Sequence, residues 1–281
     1  MAQRAKAKRF LELHTSGRLL LLPNAWDAGS ARIFEHAGFQ ALGTTSAGVA
    51  LSLGYPDGER VSRAEMLEAV RSIASAVAIP VTADLEAGYG PAVSHAVETA
   101  RGAMATGAVG MNFEDSTSED RLVDVAAQVE RIRAIKREAD AQGIAFVLNA
   151  RTDVFLLGVG EPAGRFDEAV RRANAYRQAG ADCLFVPGVS DAETIGRLVR
   201  ALAGPLNVLA VPGTPPVAEL ERLGVARVSV GSGPMRATLA LTQRIAQELR
   251  ERGTYTGFTE NTPPLRHFNR LFERSGELGP G

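Results

Sequence analysis

Asp84 and Glu86 stand two residues apart, just past the short apolar run Ile79–Ala83. On an extended chain, residues at that spacing point the same way. Two carboxylates side by side repel unless a proton or a cation separates them. Glu114 follows a second apolar run, Val109–Phe113, and adds a third carboxylate. Such a set, with neither His nor Cys beside it, suits a hard cation, Mg2+ or Mn2+. The competing roles for these acids are helix capping and solvated loop charge; for Asp115 the structural role weighs at least as much as the functional one. Arg151 follows a third run, Ile144–Ala150. A guanidinium there can grip a carboxylate or a phosphonate through paired hydrogen bonds, with Asp153 as its competing ion-pair partner. Ser46, Ala47 and Gly48 follow the run Ala41–Thr45 and are small. Backbone N–H groups there could hold an anionic group, although small residues also end strands for packing reasons.

These residues share one kind of place, the carboxyl end of a short apolar run. The full set of runs is Leu19–Leu22, Ala41–Thr45, Ile79–Ala83, Val109–Phe113, Ile144–Ala150, Cys183–Val186, Val208–Val211 and Val225–Val230. They are continuous rather than alternating, as strands of a parallel sheet covered by helices are. Helical patterns lie between them. Ser62–Val77 opens with the capping box formed by Ser62 and Glu65. Pro91–Ala105, Val123–Gln142, Phe166–Ala179, Ala192–Leu202, Val217–Leu223 and Pro234–Arg252 follow. Eight strand–helix units predict a closed (β/α)8 barrel, a fold that takes about 250 residues and carries its active site at the carboxyl ends of the strands. The expected organisation is one barrel domain over residues 1–252 and a C-terminal extension over 253–281 with a helix-like stretch at Leu265–Arg274.

Composition narrows the chemistry further. The chain has 281 residues, 31 Lys plus Arg against 32 Asp plus Glu, and a formal net charge of -1. That balance argues against a dedicated nucleic-acid binder. The lone Cys183 excludes an intramolecular disulfide and any multi-cysteine zinc site, and it fits a reducing cytoplasm. Cys183 sits inside an apolar run, where a thiol is usually inert packing. The four histidines show no HExxH spacing, which leaves a metal to oxygen ligands. The basic start MAQRAKAKRFLELH reads as a helix rather than a signal peptide, and no apolar run reaches membrane-spanning length. Gly158-x-Gly160-x-x-Ala163 mimics a dinucleotide fingerprint but falls outside a strand–turn–helix context, and Gly231-Ser232-Gly233 reads first as a tight turn.

The segments PNAWDAGSARI, TTSAGVALSLGYPDG, PVTADLEAGYG, VGMNFEDS and NARTDVF, in this order, resemble the isocitrate lyase/phosphoenolpyruvate mutase superfamily over residues 20 to 250. The resemblance implies a (β/α)8 barrel, Mg2+, and oligomers (dimers or tetramers) whose subunits exchange the eighth helix. It also implies small 2-oxo or 2-hydroxy carboxylate substrates that react through an enolate. By motif, Asp57 in YPDG corresponds to the acid beside the metal. Asp84 corresponds to the main metal ligand, and Glu86 stands where many members have a second Asp. Glu114 corresponds to the acid supporting metal-bound water, and Arg151 to the arginine that binds substrate. Thr45, Ser46 and Ala47 match the segment that holds a substrate carboxylate.

The departures bear on the reaction. Lyases of the family carry a Lys-Lys/Arg-Cys-Gly-His segment after the fourth strand. Here that stretch reads EDSTSEDRLVD, with neither Cys nor His, and Cys183 lies in another strand. The lysine-bearing gate of phosphonomutase-type members is missing too, and Arg121 is the nearby cation. Val186-Pro187-Gly188 stands where relatives have a Glu or His. The expectation is a Mg2+-dependent carbon–carbon lyase or decarboxylase. Phosphonopyruvate-type P–C chemistry and a 2-oxo-acid-binding protein with little catalysis are the alternatives.

Overall fold

The computed structural model describes residues 2–117, 119 and 121–273. Its strands are β1 (Leu20–Leu22), β2 (Asn24–Ala25), β3 (Leu42–Thr44), β4 (Val81–Asp84), β5 (Gly110–Glu114), β6 (Val147–Arg151), β7 (Cys183–Phe185), β8 (Leu206–Leu209) and β9 (Arg227–Ser229). They form one parallel sheet in the order β1-β9-β8-β7-β6-β5-β4-β3-β2. The two ends of that order are consecutive in the chain, so the sheet closes on itself as a TIM-like barrel. The expected first strand is split in two by Pro23. Proline has no N–H to give to a ladder, and the chain changes neighbours there: Leu20 pairs with Arg227, whereas Asn24 pairs with Gly43. Asn24 bridges the seam, donating to the Thr44 carbonyl at 2.8 Å and accepting from the amides of Val230 and Gly231 at 2.9 and 3.0 Å.

Helices cover the outside. Arg63–Ala76 starts at the Ser62–Glu65 capping box foreseen from the sequence. Val125–Gln142 starts on Asp124, whose carboxylate accepts from the amides of Ala126 and Ala127. Two shorter helices follow β2 and β3. Ala28–His36 begins at Asp27, whose carboxylate caps it by accepting from the Ser30 amide. Ser46–Ser52 begins at Thr45, whose hydroxyl accepts from Gly48 N–H. Of the tail, Leu265–Phe272 is helical; the expected end at Arg274 lies outside the described residues.

The N-terminal helix, Gln3–Thr15, closes the amino-terminal end of the barrel. Phe10 is fully buried there, Lys6 donates to the Val77 carbonyl at 2.9 Å, and Gln3 donates to the carbonyls of Met104 and Ala108. Burying a side chain such as Phe10 contributes about 1.5–3 kcal/mol. With that end plugged, the carboxyl ends of the strands form the accessible mouth.

Candidate active site

A cavity of about 260 Å³ opens at that mouth, lined among others by Asn24, Thr45, Ser46, Ala47, Asp57, Asp84, Asn112 and Arg151. Asp84, the last residue of β4, is held from three sides. Its Oδ2 accepts from the Ser46 amide at 3.0 Å and from the Ser46 hydroxyl at 2.8 Å. Its Oδ1 accepts from the Asn112 side chain at 3.3 Å, and its own amide donates to Thr44 Oγ1 at 2.8 Å. The Ser46 amide, expected to face a substrate, is thus committed to Asp84. Gly48 lies outside the cavity lining and serves close packing: a Cβ there would fall 2.5 Å from Thr45 Cγ2 and 3.1 Å from Trp26 Cβ.

Glu86 is buried with φ of 50°, a left-handed backbone that costs a non-glycine residue energy. Its carboxylate accepts from the Glu59 amide, and Glu59 in turn accepts from the Tyr89 amide at 2.9 Å. Arg131 lies under this loop, donating to the carbonyls of Ala87 and Gly90 and stacking over Phe113 at 4.6 Å. Burial, followed by the nearby charges of Asp84 and Glu114, pushes the Glu86 carboxyl up to about 8. Burial also raises Asp57, reinforced by Asp84.

Arg151 ends β6. Nη1 contacts Glu114 Oε2 at 2.8 Å and Nε contacts Asp153 Oδ1 at 2.6 Å, so the ion pair and the site role coexist. Burial opposes the guanidinium charge, yet Glu114 and Asp153 outweigh it and hold the proton more tightly than usual. Burial raises Glu114 above the ordinary carboxylate range, with Arg151 pulling the other way. Ser116 donates to Glu114 Oε1 at 2.9 Å. Asp115 is structural: fully buried, it accepts from Asp153 N–H, Arg172 and the Tyr176 hydroxyl at 2.9, 3.2 and 2.6 Å.

Among the described residues no three His, Cys, Asp or Glu side chains gather around one point as direct ligands of an ion. Glu86 turns to the Glu59 amide and Glu114 to Arg151. The charge of Asp84 helps to raise Asp57, Glu86 and Glu114, and the adjoining Arg151 cation opposes this at Asp57 and Glu114.

A polar floor beneath the cavity was missed. Asn112 accepts from the Asn149 side chain at 2.8 Å and from Arg227 at 3.3 Å, and Asn207 lies beside Arg227 in register. Burial lowers fully buried Arg227 to about 10. The signal was present: β5, β6 and β8 each carry an Asn among apolar residues. Cys183, also in this interior, is pushed up to about 11 by burial and is inert as a nucleophile.

Residues 10–250 match the family model described as phosphoenolpyruvate phosphomutase. An uncharacterised protein of Mycobacterium tuberculosis (strain ATCC 25618 / H37Rv) is 38% identical over 82% of this chain and 84% of its own. A phosphoenolpyruvate phosphomutase of Streptomyces hygroscopicus is 32% identical over 94% of this chain and 86% of its own. The solved structure of a protein described as a "putative lyase/mutase" from Burkholderia cenocepacia J2315 superposes with a TM-score of 0.91 at 41% identity, covering 97% of each chain. Enzymes of this superfamily act on small carboxylates as lyases, mutases and hydrolases. The chain belongs to the phosphoenolpyruvate mutase/isocitrate lyase superfamily.

Proposed function

We propose that this protein is a Mg2+-dependent enzyme acting on a small 2-oxo or 2-hydroxy carboxylate through an enolate, as a carbon–carbon lyase or decarboxylase. The observation that carries this reading is the meeting of Asp84, Asp57 and Arg151 in one small cavity. The donor set fits Mg2+, which keeps several waters and needs only one or two carboxylates. Asp84 would hold the ion, with Glu86 and Glu114 supporting it through water. When bound, the ion would supply a Lewis acid for negative charge developing on the substrate oxygen.

The chain's own residues do the rest. Glu114 and Asp153 engage Nη1 and Nε of Arg151, which fixes the guanidinium plane and leaves Nη2 for a substrate carboxylate. Thr45 and Ala47 line the same cavity as Arg151. The Arg151 cation favours an anion there. Water supplies the final proton in this reading.

Exchange of the last long helix between subunits is part of the proposal. Gly233–Arg252 buries only Met235 within its own chain and leaves Leu239, Leu241 and Leu249 exposed. A dimer or tetramer would cover them. No helix among the described residues is long and apolar enough to cross a membrane.

The test is proton NMR of oxaloacetate, 2-oxoglutarate, isocitrate, methylisocitrate and phosphonopyruvate in D2O with Mg2+. Cleavage, decarboxylation or C–H exchange of an acid in the panel supports the reading. Turnover of phosphonopyruvate alone would move the protein to P–C chemistry, and silence throughout would contradict an enolate mechanism.

A further inference from the structure

We propose that Arg227 is a positioning residue for the metal-binding carboxylate: it fixes the side-chain amide of Asn112 in the one orientation that lets Asn112 donate to Asp84. This rests on the metal role proposed above for Asp84. It adds a residue that touches neither ion nor substrate.

Asp84, Asn112 and Asn149 stand side by side on β4, β5 and β6, at one level of the barrel. Arg227 reaches them from β9, which faces β5 across the barrel. Its Nη2 donates to Asn112 Oδ1 at 3.3 Å, and Asn112 Nδ2 donates to Asp84 Oδ1 at 3.3 Å. The two ends of this chain have fixed chemistry. A guanidinium only donates, and a carboxylate only accepts. The amide between them therefore has one way to stand. Turned over, it would set its oxygen against Asp84 and its NH2 against Arg227. Asn149 also donates to Asn112 Oδ1, at 2.8 Å, but Asn149 Oδ1 has no partner among the described residues. A neutral amide held at one end takes its orientation from its neighbour, so Asn149 follows and Arg227 leads.

Arg227 does not hold the fold together by charge pairing. It is fully buried, and its Nε and Nη1 have no partner among the described residues. A buried cation without a close counter-charge weakens a fold. What its one side-chain bond does is complete the hold on Asp84, whose Oδ1 is tied by Asn112 and Oδ2 by Ser46. The carboxylate plane is then fixed. That suits Mg2+, which demands near-octahedral geometry. Acting through space alone, the Arg227 charge would repel Mg2+. The two effects have opposite signs. Losing the charge tightens Mg2+ binding, and losing the orientation weakens it.

In the test, Mg2+ is titrated into the full-length protein at a fixed oxalate concentration and followed by calorimetry, with urea unfolding of each variant alongside. Arg227→Met keeps the length of the side chain and donates nothing. It should weaken Mg2+ binding about tenfold, the low end for a partner that orients a ligand. In an Asn112→Ala background the same change should alter Mg2+ affinity by less than about twofold, because the connecting amide is gone. Unchanged or tighter Mg2+ binding in folded Arg227→Met overturns the inference, and so does a further tenfold loss in the Asn112→Ala background. Should Arg227→Met not fold, Asn149→Ala decides. With Arg227 still holding the amide, its Mg2+ affinity should stay within about threefold of the parent protein, below the effect of losing an orienting partner. A tenfold loss there gives the orienting role to Asn149 and overturns the inference. All these outcomes leave the proposed function standing as long as the parent protein binds oxalate with Mg2+. Absence of that binding removes the proposed function and this inference together.

Discussion

Ser46 binds Asp84 twice, through its amide at 3.0 Å and its hydroxyl at 2.8 Å, both on Oδ2. The end of β3 and the end of β4 therefore move as one unit. A hydroxyl bonded to a carboxylate contributes about 1.5–3 kcal/mol. Ser46→Ala keeps the amide bond and loses the other. Mg2+-dependent oxalate binding, read by calorimetry, should weaken about tenfold, in line with about 1.4 kcal/mol. Tighter binding would mean that the hydroxyl competes with the cation instead of orienting its ligand.

Arg151 serves both the fold and the site. Replacing it with Met leaves Glu114 and Asp153 facing each other in a largely buried place, a loss of about 3–5 kcal/mol in urea unfolding. Oxalate affinity should fall at least about a hundredfold, or about 2.8 kcal/mol. If stability drops while oxalate affinity holds, the residue is structural alone.

His14 provides a pH test away from the site. Burial first, then the Arg227 charge, lowers it from 6.5 to about 4. The folded state thus prefers the neutral ring. Its contribution is complete above pH 6.5 and is lost as pH falls through 6.5 towards 4, by up to about 3 kcal/mol. The neutral variant His14→Gln should flatten that part of the stability profile in urea titrations between pH 7 and 4. An unchanged slope would place the acid sensitivity elsewhere.

The helix Gly233–Arg252 offers a test of assembly. Leu241→Glu with Leu249→Glu puts charge on the two most exposed leucines of that helix. Light scattering should report a shift from oligomer to monomer, with helical circular dichroism retained. A monomeric parent protein would contradict helix exchange.

The barrel and much of its mouth were readable because chemistry in this fold collects at strand ends. Asp84, Glu114 and Arg151 end β4, β5 and β6 and each follows a visible apolar run. What was hidden has specific causes. Pro23 splits a strand within a run that otherwise looks continuous. The helix from Ser46 is short and follows its strand after one residue, so Thr45 read as a strand end rather than a cap. Glu86 was placed beside Asp84 by the two-residue spacing of an extended chain. That geometry fails here because the strand stops at Asp84 and Glu86 turns left-handed. The inner floor of Asn112, Asn149 and Arg227 comes from residues distant in sequence that only barrel closure brings together.

The most direct measurement is calorimetric titration of oxalate into Asp84→Asn/Glu86→Gln, with and without Mg2+. Circular dichroism would establish that the variant is folded. If these two acids anchor the cation, the folded variant shows no Mg2+-dependent oxalate binding while the parent protein does. Binding with the same affinity and the same Mg2+ dependence in both would contradict the proposed metal site.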